Sequence, residues 1–275
     1  MNKTFFLAVP ASGAWETQIS SNTRERLRQE RPDFFSHPNV IDLGEAPAPI
    51  YHGLAGSTDA CYTLSQYISA LHLSKSHLSL VCDDEASALG AIHGLLRHWP
   101  ELLVIWTSPS ASATPPSRSQ SGLAQSMTLA WLLGVPEERP WWLKRLLSPR
   151  QLIYLGLRDL TSYERTLVDE LDVTCLPAGE DTLPPPLYAL EQELQQRDPQ
   201  GKRPIAVVYR SGTLRLEEQQ RLSELMKERN FVASILSSQR PEDWSDAFAM
   251  ISTNRESQVQ ERMGAGLWSE LRSFF

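Results

Sequence analysis

Short apolar runs recur along this chain, each followed by a stretch with helical spacing, and that alternation constrains the fold more than any other feature. Runs at 4–9, 40–43, 78–82, 102–106, 152–155, 173–176, 205–209 and 231–236 are apolar and rich in residues that suit strands. Between them, Leu64, Tyr67, Ile68 and Leu71 recur three or four residues apart, as do Leu89, Ile92, Leu95 and Leu96. Similar helical patterns occupy 123–133, 162–171, 187–197 and 216–229, and another begins near Pro241. On the helix at 216–229, Glu217 and Arg221 form an i,i+4 pair of opposite sign. Strands that alternate with helices predict crossover units. The expected fold is therefore a three-layer α/β arrangement, a mostly parallel central sheet flanked by helices. In such sheets ligands sit beyond the carboxyl ends of the strands. The segments to inspect are 83–86, 107–122, 156–159 and 210–214.

The chain has 275 residues and shows neither an internal repeat nor a composition shift that would divide it, so a single domain over 1–275 is expected. The Ser- and Pro-rich stretch at 107–122 is the longest candidate loop, and its composition predicts mobility. A net charge of −7 argues against a phosphate-backbone binder, so no nucleic-acid partner is expected. No apolar run approaches the length of a membrane span, and the patch at 5–9 is too short for a signal-peptide core. Cys61, Cys82 and Cys175 are odd in number and widely spaced, which reads as reduced thiols in a cytoplasmic protein.

The chemistry-bearing residues are few. Ser108, Ser110 and Ser112 follow a strand but lack the G-x-S-x-G elbow of a nucleophilic serine, and no histidine follows His98. His93 and His98 stand five apart, a spacing that does not set two imidazoles on one helical face, so each reads as a satisfied or solvent-facing side chain. Gly90 and Gly94 read as sites of close helix packing, and Trp141 and Trp142 as core or interface residues. The acidic triplet Asp83-Asp84-Glu85 has two readings. It caps the following helix, where free N–H groups and the dipole favour carboxylates, or it presents a ligand-binding carboxylate at a strand end.

The order of segments resembles the arginase/agmatinase (ureohydrolase) family over nearly the whole chain. The segment 79–90 (SLVCDDEASALG) is similar to the family stretch that passes through Gly-Gly-Asp-His-Ser. Residues 103–116 (LVIWTSPSASATPP) resemble the strand followed by Asp-Ala-His-x-Asp. The run 152–160 (LIYLGLRDL) is similar to the family strand ending in Gly-x-Arg-Asp, and 202–212 (KRPIAVVYRSG) to the strand carrying Asp-x-Asp. The resemblance implies the arginase-type fold and an oligomer, with Trp268, Leu271, Phe274 and Phe275 offering apolar surface near the C-terminus. It also implies two manganese ions on histidines and aspartates at the strand ends.

This chain departs from the pattern at those positions. Glu85 stands in place of the first ligand histidine; Ser108, Ser110 and Ser112 replace the ligands of the next loop; Arg210 and Gly212 replace the last aspartates. Asp84 matches an acidic position that is not metal-bound, and the substrate-holding glutamate falls near Ser238. Serine hydroxyls are poor ligands for manganese. A guanidinium repels a cation at 4 Å by about 4 kcal/mol per unit charge at an effective dielectric of 20. These departures imply a metal-free, catalytically inactive relative with no cofactor, acting in regulation or structure as a homo-oligomer or beside an active enzyme. The alternative is a small-ligand binder that uses Glu85, Arg210 and Ser238 in the remodelled pocket. In either case Arg210 is expected to pair with Glu85 or Asp84 across neighbouring strand ends.

Overall fold

The computed structural model describes residues 3–9, 24–25, 27–29, 32–46, 53–74, 76–82, 84–135, 139–144, 146–176, 186–210 and 212–237. In chain order the elements are β1 (Lys3–Val9), α1 (Pro32–Ser36), β2 (Val40–Glu45), α2 (Gly53–Ala70), β3 (Ser76–Cys82) and α3 (Ser87–His98). Then come β4 (Leu103–Thr107), α4 (Thr128–Leu132), β5 (Leu152–Leu155), α5 (Ser162–Glu170), β6 (Thr174–Leu176), α6 (Pro186–Arg197), β7 (Ile205–Arg210), α7 (Leu216–Lys227) and β8 (Phe231–Ser237). Every expected strand is present.

All eight strands lie in one sheet, in the order β2-β1-β3-β8-β7-β4-β5-β6. Every pairing is parallel. The chain builds one half of the sheet with β1 to β3, crosses to β4 for the other half, and returns to fill the gap with β7 and β8. That crossing is the switch point of the topology, and a crevice for ligands forms there at the carboxyl ends. The tips of β3, β8, β7 and β4 therefore meet at one place.

The central strands are buried on both faces, which is why their sequences read as continuous apolar runs. One face packs on α2, α3 and α4 through Leu80, Trp106, Val208 and Ile235. The other packs on α1, α6 and α7 through Phe6, Ile105, Val207 and Leu236. Helices α2 and α3 approach closely because α3 carries Gly90 and Gly94. A Cβ at Gly90 would collide with the Cys61 carbonyl, and one at Gly94 would stand 2.9 Å from the Ser65 oxygen. In the same interface Ser65 Oγ lies 2.7 Å from His93 Nδ1, so His93 is a buried and satisfied histidine. Cys61 and Cys82 are buried, and Cys61 Sγ donates to the Ala86 carbonyl at 3.2 Å. Among the described residues, no helix is long and apolar enough to cross a membrane.

Three local expectations need correction. The helix expected over 123–133 is a 3-10 turn, Ala124–Ser126, followed by the single-turn helix α4. The apolar spacing that suggested one helix serves two packed turns, ended by Gly134 at φ +70. Arg221 does not reach Glu217; it meets Glu191 at 3.5 Å and Glu224 at 3.4 Å, since a carboxylate on the neighbouring helix α6 competes for it. The stretch 107–122 is not loose in its first half, where Ser108, Ala111, Ser112 and Ala113 are buried. The helix expected from Pro241 and the apolar residues Trp268, Leu271, Phe274 and Phe275 lie outside the described residues.

Candidate functional site at the strand ends

The acidic triplet after β3 splits between two jobs. Asp84 turns back to the start of α3, where its Oδ1 accepts the Ser87 N–H at 3.1 Å and the Ser87 hydroxyl at 3.3 Å. That is the capping role. Glu85 turns inward, over the tip of the sheet, and is only 4% exposed. Asp83 lies outside the described residues.

Glu85 is held from several sides. Its Oε1 accepts the indole N–H of Trp106 at 2.8 Å and the Ser112 hydroxyl at 2.9 Å. Its Oε2 meets Arg210 Nη1 at 3.3 Å. Burial pushes the Glu85 carboxyl above its ordinary range, opposed by the hydrogen bonds from Trp106 and Ser112, the Arg210 charge and a bond from Ser108. The same negative charge, added to complete burial, raises the Tyr154 phenol. Tyr154 therefore stays protonated and donates to the Ala111 carbonyl.

Each partner is placed by its own strand. Trp106 lies in β4, beside Tyr154 of β5 and Val208 of β7. Ser112 reaches Glu85 with a left-handed backbone, φ 51, a conformation that costs a non-glycine residue about 1–2 kcal/mol. Glu164 steadies the same loop. Its Oε1 accepts the Ala113 N–H at 3.3 Å and the Thr114 hydroxyl at 3.2 Å, while Oε2 closes a capping box with Thr161 at the start of α5. Arg210 ends β7, and its N–H donates to Thr107 Oγ1 at 3.3 Å, which ties the tips of β7 and β4. Among the described residues, Arg210 Nη1 also reaches Ser110 Oγ, at 3.5 Å.

Of the residues expected at this site, the structure brings together Glu85, Ser108, Ser110, Ser112 and Arg210. Arg210 finds Glu85 and not Asp84. Gly212 is an exposed turn residue at φ +73. Ser238 lies outside the described residues. Glu85 is buried, and its carboxylate faces Trp106, Ser112 and Arg210. Trp106 and Glu164 were not anticipated. Glu164 had a readable signal in the Thr161-x-x-Glu164 spacing, whereas Trp106 looked like any core aromatic.

The arginase-family resemblance implies a pair of divalent cations at these strand ends, so the fit of these groups to such ions matters. Among the described residues the cluster offers a single carboxylate, already engaged by Trp106, Ser112 and Arg210, with neutral hydroxyls and a guanidinium. Two dications need several carboxylates or imidazoles for charge balance. Among the described residues no group of three or more His, Cys, Asp or Glu is placed to hold a metal. The described residues by themselves do not supply that balance.

The family model described as the arginase family matches residues 16–198, about two-thirds of the chain. The chain belongs to the arginase family. The arginase of Glaciozyma antarctica is 31% identical over 111 residues, covering 38% of this chain and 32% of that protein. Mitochondrial arginase-2 of Rattus norvegicus is 34% identical over 96 residues, 33% of this chain and 27% of that protein. In sequence, the match thus spans about a third of the length of these curated relatives. The folds agree much further. The Bacillus caldovelox arginase superposes with a TM-score of 0.74 at 18% identity, covering 91% of this chain and 97% of that one. The Entamoeba histolytica arginase solved with L-ornithine gives 0.78 at 16%, covering 92% and 99%.

The expectation that this arginase-family chain is no enzyme is overturned by that membership. The relatives and structural neighbours are arginases, which are enzymes. The physical error lay in the step from donor chemistry to activity. The residues at the strand ends say what lines the crevice, not whether a substrate turns over in it.

Proposed function

We propose that this arginase-family chain binds a small charged metabolite at the carboxyl ends of its central strands, with Arg210 as the recognising group and Glu85 as its support. One observation carries the reading. Arg210 is anchored through one nitrogen to a buried carboxylate, yet its side chain is 36% exposed. A guanidinium so held has lost most of its rotamer freedom before a ligand arrives, which lowers the cost of binding. The position, at the switch point of a parallel sheet, is where ligands bind in folds of this kind.

A thermal-shift panel of guanidino compounds, amino acids and small carboxylates, run on the full chain and on Arg210→Met, tests the proposal. A specific ligand stabilises the folded state by RT ln(1 + [L]/Kd), about 2.7 kcal/mol at a hundredfold excess over Kd. At least one compound should raise the melting temperature of the wild type and lose that effect in the variant. A panel that leaves the wild type unmoved, or shifts both proteins alike, overturns the reading.

A further inference from the structure

The two oxygens of Glu85 are used differently. Oε1 accepts the indole N–H of Trp106 at 2.8 Å and the Ser112 hydroxyl at 2.9 Å. An indole N–H donates and never accepts, so Oε1 has to remain an acceptor. Oε2 faces Arg210 Nη1 at 3.3 Å. A guanidinium also only donates, and it is not deprotonated in proteins. A proton added to Glu85 therefore goes to Oε2, where it cancels the charge that holds Arg210.

The protonated carboxyl needs a new acceptor, and Ser108 supplies one. Its buried hydroxyl bonds to the Glu85 carboxyl, and a hydroxyl can turn from donating to accepting. Trp106 and Ser112 keep their bonds, so the core side of the cluster is unchanged. Arg210 is the expendable partner. Its side chain is partly exposed, so water takes over its donors once the pair opens. Its contact with Ser110 Oγ, at 3.5 Å, is neutral and long.

Among the described residues, Arg210 of β7 is the charged group that acts directly on Glu85. Asp84, in the turn into α3, directs its carboxylate at Ser87. Tyr154 of β5 stays neutral and donates to the Ala111 carbonyl. Glu164 of α5 spends its oxygens on Ala113, Thr114 and Thr161. On α2, burial pushes the Cys61 thiol up, and its Sγ donates to the Ala86 carbonyl. Cys82, at the end of β3, is buried. None of these offers Glu85 a second cation.

We infer that Glu85 and Arg210 form a proton-operated latch at the strand ends: an ionised Glu85 holds the guanidinium, and protonation on Oε2 releases it to solvent. The pair carries no net charge when closed and one positive charge when open. The latch regulates the site of the proposed function and rests on that reading for its consequence; the contacts that make it stand by themselves. Burial raises the Glu85 carboxyl, so the latch opens at a higher pH than that at which an exposed glutamate titrates.

The test is NMR of the full chain, isotope-labelled at the glutamate carboxyls and the arginine side-chain nitrogens, with no ligand added. Glu85→Gln and Arg210→Met identify the two signals by their loss. The titration runs from about pH 8 to about pH 5, above the ordinary glutamate range. Arg210 Nε should be rigid at the high-pH end and gain fast motion with the same midpoint as the shift of the Glu85 carboxyl. In Arg210→Met that midpoint should rise, because the cation favouring the ionised form is gone. In Glu85→Gln, Arg210 Nε should be mobile at every pH. Should Glu85→Gln fold poorly, Glu85 is the carboxyl whose midpoint moves in Arg210→Met. The inference is overturned by a Glu85 carboxyl that does not titrate in that range, or by an Arg210 Nε whose mobility ignores its titration. An Arg210 as rigid in Glu85→Gln as in the wild type overturns it too. A latch that responds while the thermal-shift panel stays flat overturns the proposed function alone. A ligand found while Arg210 ignores pH overturns the latch alone.

Discussion

Replacing Glu85 separates two contributions that the structure superimposes, the hydrogen-bond acceptor and the buried charge. In Glu85→Ala the indole N–H of Trp106 loses its acceptor inside the core. An orphaned buried donor costs about 1–3 kcal/mol. The vacated space adds about 1 kcal/mol where neighbours cannot relax. Losing Arg210 adds little, since its side chain is 36% exposed and solvent takes over, an effect of about 0–1 kcal/mol. Relief from burying a carboxylate works the other way. The sum is a loss of about 2–4 kcal/mol. Glu85→Gln behaves differently. Its amide oxygen still serves Trp106 and Ser112, and it removes the charge whose burial raises the carboxyl's pKa. The lost ion pair and the relieved desolvation nearly cancel, so stability should change by about 1 kcal/mol or less. Urea unfolding at neutral pH, followed by tryptophan fluorescence, measures both variants against the wild type. Should Glu85→Ala prove as stable as the wild type, or Glu85→Gln as damaging as Glu85→Ala, this account of the site would be refuted.

Other predictions follow from the same contacts. Because the folded-state pKa of Glu85 is raised, its neutral form supplies stability that is fully present below the unfolded value and is lost as pH rises through the folded one. The stability of the wild type relative to Glu85→Gln should therefore grow as pH falls from neutral to mildly acidic, and flat parallel melting profiles would contradict this. Gly90→Ala drives a methyl into the Cys61 carbonyl and should cost about 1–3 kcal/mol by urea unfolding, whereas Gly122→Ala faces open space and pays only for its φ of +64. Glu164→Ala releases Ala113 and Thr114 and should speed hydrogen exchange in residues 108–114 ahead of global unfolding; unchanged exchange there would show that the loop is held by other contacts.

The strands were legible because a parallel sheet covered on both faces leaves uninterrupted apolar runs, as at Ile205–Arg210 and Leu152–Leu155. The pairing of Glu85 with Arg210 was legible for a different reason. The family resemblance sets an anion in place of a ligand histidine and a cation in place of a ligand aspartate, at strand ends that face one crevice. The strand order that brings β8 between β3 and β7 is not written in any local pattern. The division of labour between Asp84 and Glu85 was equally hidden, because adjacent carboxylates differ only in which way the chain turns after β3. The length of the helix near Thr128 was overestimated, since apolar spacing does not distinguish one continuous helix from two short turns packed on the same core.

The most direct measurement is a crystal structure of the full chain grown with phosphate and excess manganese, with anomalous data collected at the manganese edge. The account predicts Arg210 folded onto Glu85, with the rest of its guanidinium turned to the crevice at the strand ends. Manganese peaks between the tips of β3, β4 and β7, with Arg210 swung away from Glu85, would contradict it.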